Sequence, residues 1–161
     1  AVNALKAGRE PDMEAPLGVT TEINLHTPAL LPEDYCGDVH ERLVLYKRLA
    51  NCTTMLDLEE MQEELIDRFG LPPDPAQTLL DCHRLRILGK PLGVTRIDAA
   101  AERVIVSFVA RPPFEPIKLI QLIQKDGRFR FAGPDRMRIE WPTKTLDERV
   151  ALVKDFLKKL A

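Results

Sequence analysis

Acidic side chains cluster in a short stretch of the sequence, from residue 59 to residue 67. Glu64 and Asp67 are three residues apart, and Arg68 follows Glu64 by four, so on a helix these side chains lie one turn apart. Glu60 and Glu63 extend the same face. Such carboxylates can accept charge-assisted hydrogen bonds from a basic partner. The alternative, favoured by spacing alone, is a solvated face with a weak Glu64–Arg68 ion pair.

A second set of charged residues alternates with apolar ones in two segments near the C-terminus. The candidate phosphate contacts in these segments are Arg128, Arg130, Arg136 and Arg138. The turn sequence Gly133-Pro134-Asp135 between them predicts a hairpin with one basic and one apolar face. Because Phe129, Phe131 and Trp141 alternate onto the apolar face, we expect them to point to the core rather than stack with bases. A solvated face, a nucleic-acid contact and a protein contact therefore remain open.

No residue pattern in the sequence is typical of an enzyme. There is no glycine-rich phosphate-binding motif and no nucleophile motif with a partner histidine and aspartate. The carboxylates fall on predicted helix surfaces, where they lack the burial that acid–base catalysis needs. The histidines, His26, His40 and His83, are scattered and are interpreted as structural. We therefore predict that this chain has no catalytic residue.

The cysteines do not form a pattern that binds metal or builds a disulfide framework. Their number is odd, and no two of Cys36, Cys52 and Cys82 have the spacing of a zinc-binding pair. Small apolar thiols of this kind are often core residues. We predict no metal ion and no cofactor for this chain.

The length of 161 residues predicts one domain as the default, and 45% hydrophobic with 30% charged residues is ordinary for a globular protein. Charge is divided unevenly: residues 1–89 carry a net −8 and residues 90–161 a net +6. The two halves could therefore select different partners. No apolar run is long enough to span a membrane and the N-terminus does not resemble a signal peptide, so we predict a cytoplasmic protein without membrane contact.

Three consecutive helices are predicted before residue 90. Asp38 and Thr54 are the expected N-caps of the first two, and Asp74 of the third, with Pro75 at its first position. Gly70 is placed for a left-handed cap at the end of the second helix. The apolar stripes expected to face the core are Val39, Leu43, Tyr46 and Ala50, helped by Leu49; Leu58, Met61, Leu65 and Phe69; and Leu79, Leu80, Leu85 and Leu88.

The pattern changes to that of strands after residue 93. Further helices begin at Pro116 and after Thr145. The fold class predicted is α+β, with an N-terminal three-helix subdomain followed by a small, mainly antiparallel sheet and two further helices. The predicted strands are 20–26, 94–98, 103–109 and the hairpin segments 128–131 and 136–141.

Several of these segments resemble one known family. Residues 30–35 read Leu-Leu-Pro-Glu-Asp-Tyr, residues 46–50 read Tyr-Lys-Arg-Leu-Ala, and residues 64–70 read Glu-Leu-Ile-Asp-Arg-Phe-Gly. Together with Pro-Asp-Pro-Ala at 73–76, they are similar to the C-terminal domain of bacterial transcription-repair coupling factors. Residues 1–11 resemble the end of that family's translocase module. The resemblance therefore predicts residues 1–26 as translocase tail and linker and residues 27–161 as the C-terminal regulatory domain.

The resemblance implies a role in DNA repair. The full-length proteins of this family are ATP-driven DNA translocases that remove stalled RNA polymerase and recruit the excision-repair protein UvrA. Their C-terminal domain is a module without enzymatic activity, so ATP and Mg²⁺ would belong to the parent translocase rather than to this chain. RNA polymerase, DNA and UvrA would accordingly be partners only through the parent protein.

The resemblance also implies a site. The family's C-terminal domain packs on the N-terminal UvrB-like module of the same protein and masks the surface that binds UvrA. The motif positions assigned to that contact fall on Glu64, Asp67 and Arg68 in this sequence. Glu60 and Glu63 are the expected secondary docking residues. We therefore expect an autoinhibitory interaction module, with a nucleic-acid-binding module that uses the arginine hairpin as the alternative.

Overall fold

A five-stranded sheet and five α-helices make up the part of the chain that the computed structural model describes, residues 21–161. The predicted α+β class is confirmed. The strands are β1 (Glu22–Asn24), β2 (Val94–Ala99), β3 (Arg103–Phe108), β4 (Phe129–Phe131) and β5 (Arg136–Glu140). The helices are α1 (Val39–Ala50), α2 (Met55–Phe69), α3 (Asp74–Gly89), α4 (Pro116–Lys125) and α5 (Leu146–Leu160). Of the predicted translocase tail and linker, residues 1–20 lie outside the described residues.

Helix starts follow local capping chemistry in two of the first three helices. The Asp38 carboxylate accepts hydrogen bonds from the first turn of α1, and Thr54 forms a reciprocal capping box with Asp57 in α2. The predicted cap by Asp74 is wrong. α3 begins one residue earlier, so Pro73 is the N-cap, and no side chain accepts a hydrogen bond there. Asp74 is instead the first helical residue, where its charge still favours the positive end of the helix dipole.

Gly70 ends α2 but does not adopt the predicted left-handed helical cap. Its φ of 94° is positive, which favours glycine, yet its ψ of −172° is extended. The Gly70 carbonyl accepts a 2.8 Å hydrogen bond from the hydroxyl of Tyr35. The chain therefore leaves the helix in an extended direction rather than closing a Schellman turn.

Two hydrophobic cores lie side by side and share α3. Leu79 and Leu80 pack with α1 and α2 in the first core, whereas Leu85 packs with the sheet, α4 and α5 in the second. Leu80 and Leu85 are fully buried. α3 is thus covered on two sides, which explains why its apolar residues do not fall on one narrow stripe.

The predicted apolar stripe of α1 is only partly correct. Val39 and Leu43 are 59% and 62% exposed. Leu49, which was predicted, and Leu45, which was not, are buried against α2 and α3. The buried side of α1 is therefore rotated away from the predicted stripe. Either set satisfies helical periodicity, and only packing selects between them.

The sheet has the strand order β1-β2-β3-β5-β4, with β1 parallel to β2 and the other pairs antiparallel. One sheet face is covered by helices, since Ile97, Val106 and Ile139 are fully buried in the core that contains α4 and α5 residues. The opposite face carries the polar residues that alternate with them along β2, β3 and β5. β1 lies before the predicted domain boundary at residue 26, which stays a prediction.

Among residues 21–161, none of the helices has the length and apolar character that crossing a membrane requires. The longest, α3, has 16 residues and packs inside the molecule rather than presenting a uniform apolar surface.

Gly93 provides a test of the junction between α3 and the sheet. It has a left-handed conformation with φ of 78°, and an added Cβ would lie 2.8 Å from Val109 Cγ2 and 3.0 Å from Pro113 Cδ. We expect Gly93→Ala to lower the free energy of unfolding by about 2 kcal/mol, because strain and overlap add. Urea denaturation measures this change.

Gly127→Ala is the matched control. An added Cβ there meets nothing within 4 Å, and its φ is not positive. We expect the control to change the unfolding free energy by less than about 0.5 kcal/mol. Equal effects of the two substitutions would contradict this account of Gly93.

Candidate functional site

The outward face of α2 is an acidic surface. Glu60, Glu63 and Asp67 are exposed and recur at helical spacing, with Leu56 beside them at 63% exposure. Among residues 21–161, none of these three carboxylates has a salt-bridge partner. We call these three carboxylates and Leu56 the acidic face. Asp67 is the one residue of the predicted docking triad that lies on it without an internal ionic contact.

The other two members of the triad belong to an ion-pair network between α1 and α2. Arg48 donates two hydrogen bonds of 2.7 Å to the two carboxylate oxygens of Glu64. Arg68 donates a 2.9 Å bond to the same carboxylate and a second bond to Glu41. This α1–α2 network, Glu41, Arg48, Glu64 and Arg68, orients the predicted docking residues.

The network changes the electrostatics of Glu64. Hydrogen bonds from Arg48, and then from Arg68, lower the pKa of the Glu64 carboxyl to about 2. Glu64 therefore stays ionised at every physiological pH. The predicted Glu64–Arg68 pair is present, but Glu64 makes its bidentate contact with Arg48 rather than with Arg68.

A cleft of about 380 Å³ lies beside this network, between the end of α1 and the start of α2. Its walls include the carboxylates of Asp57, Glu60 and Glu64, the guanidinium of Arg48 and the side chain of Met61. Three carboxylates against one arginine give the cleft an acidic character. A lysine or arginine side chain that entered the cleft could donate hydrogen bonds to these carboxylates and pack its methylene groups on Met61.

The arginines of the hairpin are placed less uniformly than predicted. Arg130 and Arg138 are direct cross-strand partners on the uncovered sheet face, and Arg136 follows on the same face. Arg128 does not join this group, because its guanidinium hydrogen-bonds to the Asp126 carboxylate. The guanidinium carbon also lies 3.6 Å from the centre of the Trp141 ring, in a cation–π contact. Three of the four candidate phosphate contacts thus remain together.

The aromatic residues near the hairpin differ in burial. Phe129 is buried and Trp141 half-buried in the core, as expected. The prediction for Phe131 is wrong, because 52% of its surface is exposed at the edge of the sheet. β4 is the last strand and has only three residues, so the core does not reach the end of it.

The cysteines and His83 are buried or partly buried, whereas His26 and His40 are exposed. Burial raises the pKa of the Cys82 thiol to about 11 and lowers the pKa of His83 to about 4. Burial also raises the pKa values of Cys36 and Cys52, which are core residues. Among residues 21–161, no group of three or more metal-ligating side chains is placed to hold an ion.

Comparison with known proteins gives the family. The model of the TRCF domain family matches residues 25–119, which is more than half of the chain. The chain belongs to the TRCF domain family. This match includes all of the helical subdomain, the acidic face and the first two antiparallel strands, and it ends inside α4.

Relatives extend the similarity of this TRCF domain over its full length. The transcription-repair-coupling factor of Haemophilus influenzae is 44% identical over 162 residues, which cover 100% of this chain and 14% of the relative. That of Escherichia coli is 42% identical over 161 residues, or 99% of this chain and 14% of the relative. The chain therefore spans about one seventh of the length of these relatives.

A solved structure supports the fold of the TRCF domain. The crystal structure of the C-terminal domain of a transcription-repair coupling factor superposes with a TM-score of 0.68 at 21% sequence identity. The superposition covers 88% of this chain and 94% of that chain. It confirms that the five helices and the mixed sheet form the architecture of that domain.

Glu41 and Arg48 are the site residues that sequence reasoning missed. They are seven residues apart, so they share one face of α1. The complementary residues Glu64 and Arg68 are four apart on α2, and the two helices run antiparallel with opposite charges facing each other. That charge pattern was a signal, but it becomes specific only when the pairing of the helices is known.

Acid titration tests the α1–α2 network. The folded-state pKa of Glu64 lies below its value in an unfolded chain, so the stabilisation is complete above about pH 5 and decreases as the pH falls toward 2. We expect Glu64→Gln to cost about 1 kcal/mol of unfolding free energy at pH 7, since solvent screens these half-exposed pairs, and less at pH 3. Urea denaturation at the two pH values measures both numbers.

Glu63→Gln provides the control, because Glu63 is exposed and has no ionic partner among the described residues. Its unfolding free energy should stay close to that of the wild type at both pH values. A cost for Glu64→Gln that did not shrink in acid would show that the network does not depend on the charge of this carboxylate.

Proposed function

We propose that this chain is the non-catalytic C-terminal regulatory module of a transcription-repair coupling factor, a DNA translocase of transcription-coupled nucleotide excision repair. In this proposal, α2 docks on the N-terminal UvrB-like module of the same protein and masks the surface that binds UvrA. Release of the dock in the parent protein then permits recruitment of UvrA, so the chain acts as an autoinhibitory clamp.

The observation that carries the proposal is the unpaired charge of the acidic face. Glu60, Glu63 and Asp67 are exposed, and no cation lies within salt-bridge distance of them among residues 21–161. Leu56 adds an exposed apolar side chain beside them. A patch that combines carboxylates with an apolar residue suits a basic partner surface, because the charges set orientation and the apolar contact adds affinity.

The α1–α2 network supports the same proposal in a second way. Arg48 and Arg68 hold the Glu64 carboxylate in one orientation before any partner arrives. A preoriented carboxylate loses less conformational entropy on binding than a free one. The cleft beside Glu64 offers further carboxylate oxygens, from Asp57 and Glu60, to an entering lysine or arginine.

A polar dock also suits a reversible switch. Coupling between two sites of a protein is typically about 1–3 kcal/mol, which a second ligand can overcome. Interfaces between modules of one chain are usually more polar than permanent ones for this reason. The burial of Cys36 and Cys52 and the partial burial of Cys82 and His83 support the non-catalytic part of the proposal, because solvent and substrates reach these groups poorly.

Asp67→Arg gives the cleanest test, since Asp67 lies outside the α1–α2 network. The wild-type chain should bind the separately produced UvrB-like module of the parent protein, measured by calorimetry at two salt concentrations. We expect Asp67→Arg to weaken that binding about tenfold or more, because an attraction becomes a repulsion. In the full-length protein the same substitution should increase the affinity for UvrA.

Glu102→Arg is the matched charge reversal, at an exposed position in the turn between β2 and β3. It should leave binding of the UvrB-like module within about twofold of the wild type. If the two variants bind alike, or if the wild-type chain does not bind the module, the docking proposal is wrong and the acidic face is a solvated surface.

A further inference from the structure

The outer edge of β4 is one of the two unpaired edges of the sheet among residues 21–161, the other being that of β1. β4 is the last strand in the sheet, and no other strand of residues 21–161 lies beyond it. Its inner edge is bonded to β5, where the Glu140 N–H donates to the Arg128 carbonyl at 2.8 Å and the Ala132 N–H donates to the Arg136 carbonyl at 2.9 Å. These two bonds fix which backbone groups point outward.

In an antiparallel ladder, residues bonded to the partner strand alternate with residues whose N–H and C=O point away from it. Arg130 lies midway between the two bonded positions, so its backbone faces β5. Phe129 and Phe131 therefore face outward. The Phe129 N–H donates to the Asp126 carbonyl at 3.1 Å. The Phe129 carbonyl and the N–H and carbonyl of Phe131 therefore remain available to pair with an added strand.

The side chains along this edge are of two kinds. Phe131 is exposed on the side of the sheet that carries the helices, and Arg130 is exposed on the uncovered face. A strand added beyond β4 would place alternate side chains next to each of them, because side chains of a strand alternate between faces. The edge therefore presents an apolar contact and a positive charge in register with free backbone groups.

The positive charge at this edge is only partly compensated within the described residues. Arg130 is the direct cross-strand partner of Arg138, and like charges in that position destabilise a sheet. The buried Nε atom of Arg138 lies 3.5 Å from a Glu140 carboxylate oxygen, an ion-pair contact that does not form a hydrogen bond. Arg136, on the same face, forms no salt bridge among residues 21–161.

We propose that the β4 edge binds an extended acidic segment of a partner protein, in which acidic residues alternate with apolar ones. The segment pairs its backbone with Phe131, packs an apolar side chain on the Phe131 ring, and places a carboxylate against Arg130 and Arg138. This mode of binding is addition of a strand to an exposed sheet edge. The surface is separate from the acidic face of α2, so this inference does not rest on the proposed docking function.

The observations favour an acidic peptide over a nucleic acid. Phe129 and Trp141 pack in the core, so they are not platforms on which bases could stack. The same uncovered sheet face also carries carboxylates, among them Asp98 and Glu140, which would repel a long polyanion. A short strand with few charges meets only the arginines at the edge.

The probe is a synthetic nine-residue peptide of alternating glutamate and valine with blocked ends. We expect the 161-residue chain to bind this peptide, and added salt to weaken the binding. Arg130→Glu should weaken binding about tenfold, whereas Arg111→Glu, a reversal of an exposed arginine in the loop before α4, should change it less than about twofold. Fluorescence anisotropy of a labelled peptide measures each affinity.

Two readouts separate this role from a merely structural one. Arg130→Glu converts a like-charge pair into an ion pair, so the melting temperature of the free chain should rise by about 2 °C while peptide binding falls. In hydrogen exchange, the bound peptide should slow exchange of the Phe131 amide. The Arg130 amide, already bonded to β5, should change little.

Three results would overturn the proposal. The first is no peptide binding at millimolar concentration, and the second is equal binding to the wild type and Arg130→Glu. The third is undiminished binding of a peptide with proline at its central positions, which cannot pair with the edge. Salt-dependent binding of duplex DNA that Arg130→Glu abolishes, without peptide binding, would assign the arginines to phosphates instead.

Discussion

Burial of α3 on two sides is the constraint on which the rest of the structure depends. Leu80 and Leu85 point into different cores, one made with α1 and α2 and the other with the sheet and α5. Neither core could form without α3, because each half of the chain alone would expose one of its apolar sides. The helical subdomain and the sheet are therefore held in one arrangement, and the α1–α2 network is oriented relative to the sheet through α3.

Polar contacts reinforce this helix rather than position it. The guanidinium of Arg86 is partly buried and donates to the carbonyls of Leu49 and Cys52, at 3.2 and 3.0 Å, where α1 ends. The Leu49 carbonyl also accepts a 3.1 Å bond from the Cys52 N–H, and Cys52 follows the end of the helix, so the arginine adds a second donor at the C-terminus of α1. Burial lowers the pKa of Arg86, as expected for a charge held by neutral acceptors.

Charge is arranged so that the two halves of the domain stay open to different partners. In the α1–α2 network acids and arginines neutralise each other, but Asp67 and Glu63 on the acidic face remain unpaired among the described residues. At the sheet edge, Arg130 faces Arg138 directly. Like charges close together, such as Glu63 and Asp67 on α2 or Arg130 and Arg138 across the strands, cost stability in the free chain, and a partner of opposite charge relieves that cost. The proposals for α2 and for β4 follow from this shared principle.

The sequence by itself determined the features that depend on neighbours within one or two turns. The caps at Asp38 and Thr54, the stripe of Leu58, Met61 and Leu65 in α2, and the hairpin turn before β5 were all predicted, because each is a contact between residues three or four positions apart. The family resemblance then gave the predicted docking residues, which no local pattern could single out from other surface acids.

Only the tertiary structure decided which side of each element is buried and which charges meet. Val39 and Leu43 have helical spacing yet face solvent, because α2 and α3 cover Leu45 and Leu49 instead. Arg48 reaches Glu64 across 16 residues of sequence, which periodicity cannot reveal. Strand order and the exposure of Phe131 depend likewise on which strand lies at the sheet edge. Long-range packing selects one among several locally equivalent faces, and that selection makes the surfaces that a partner would meet.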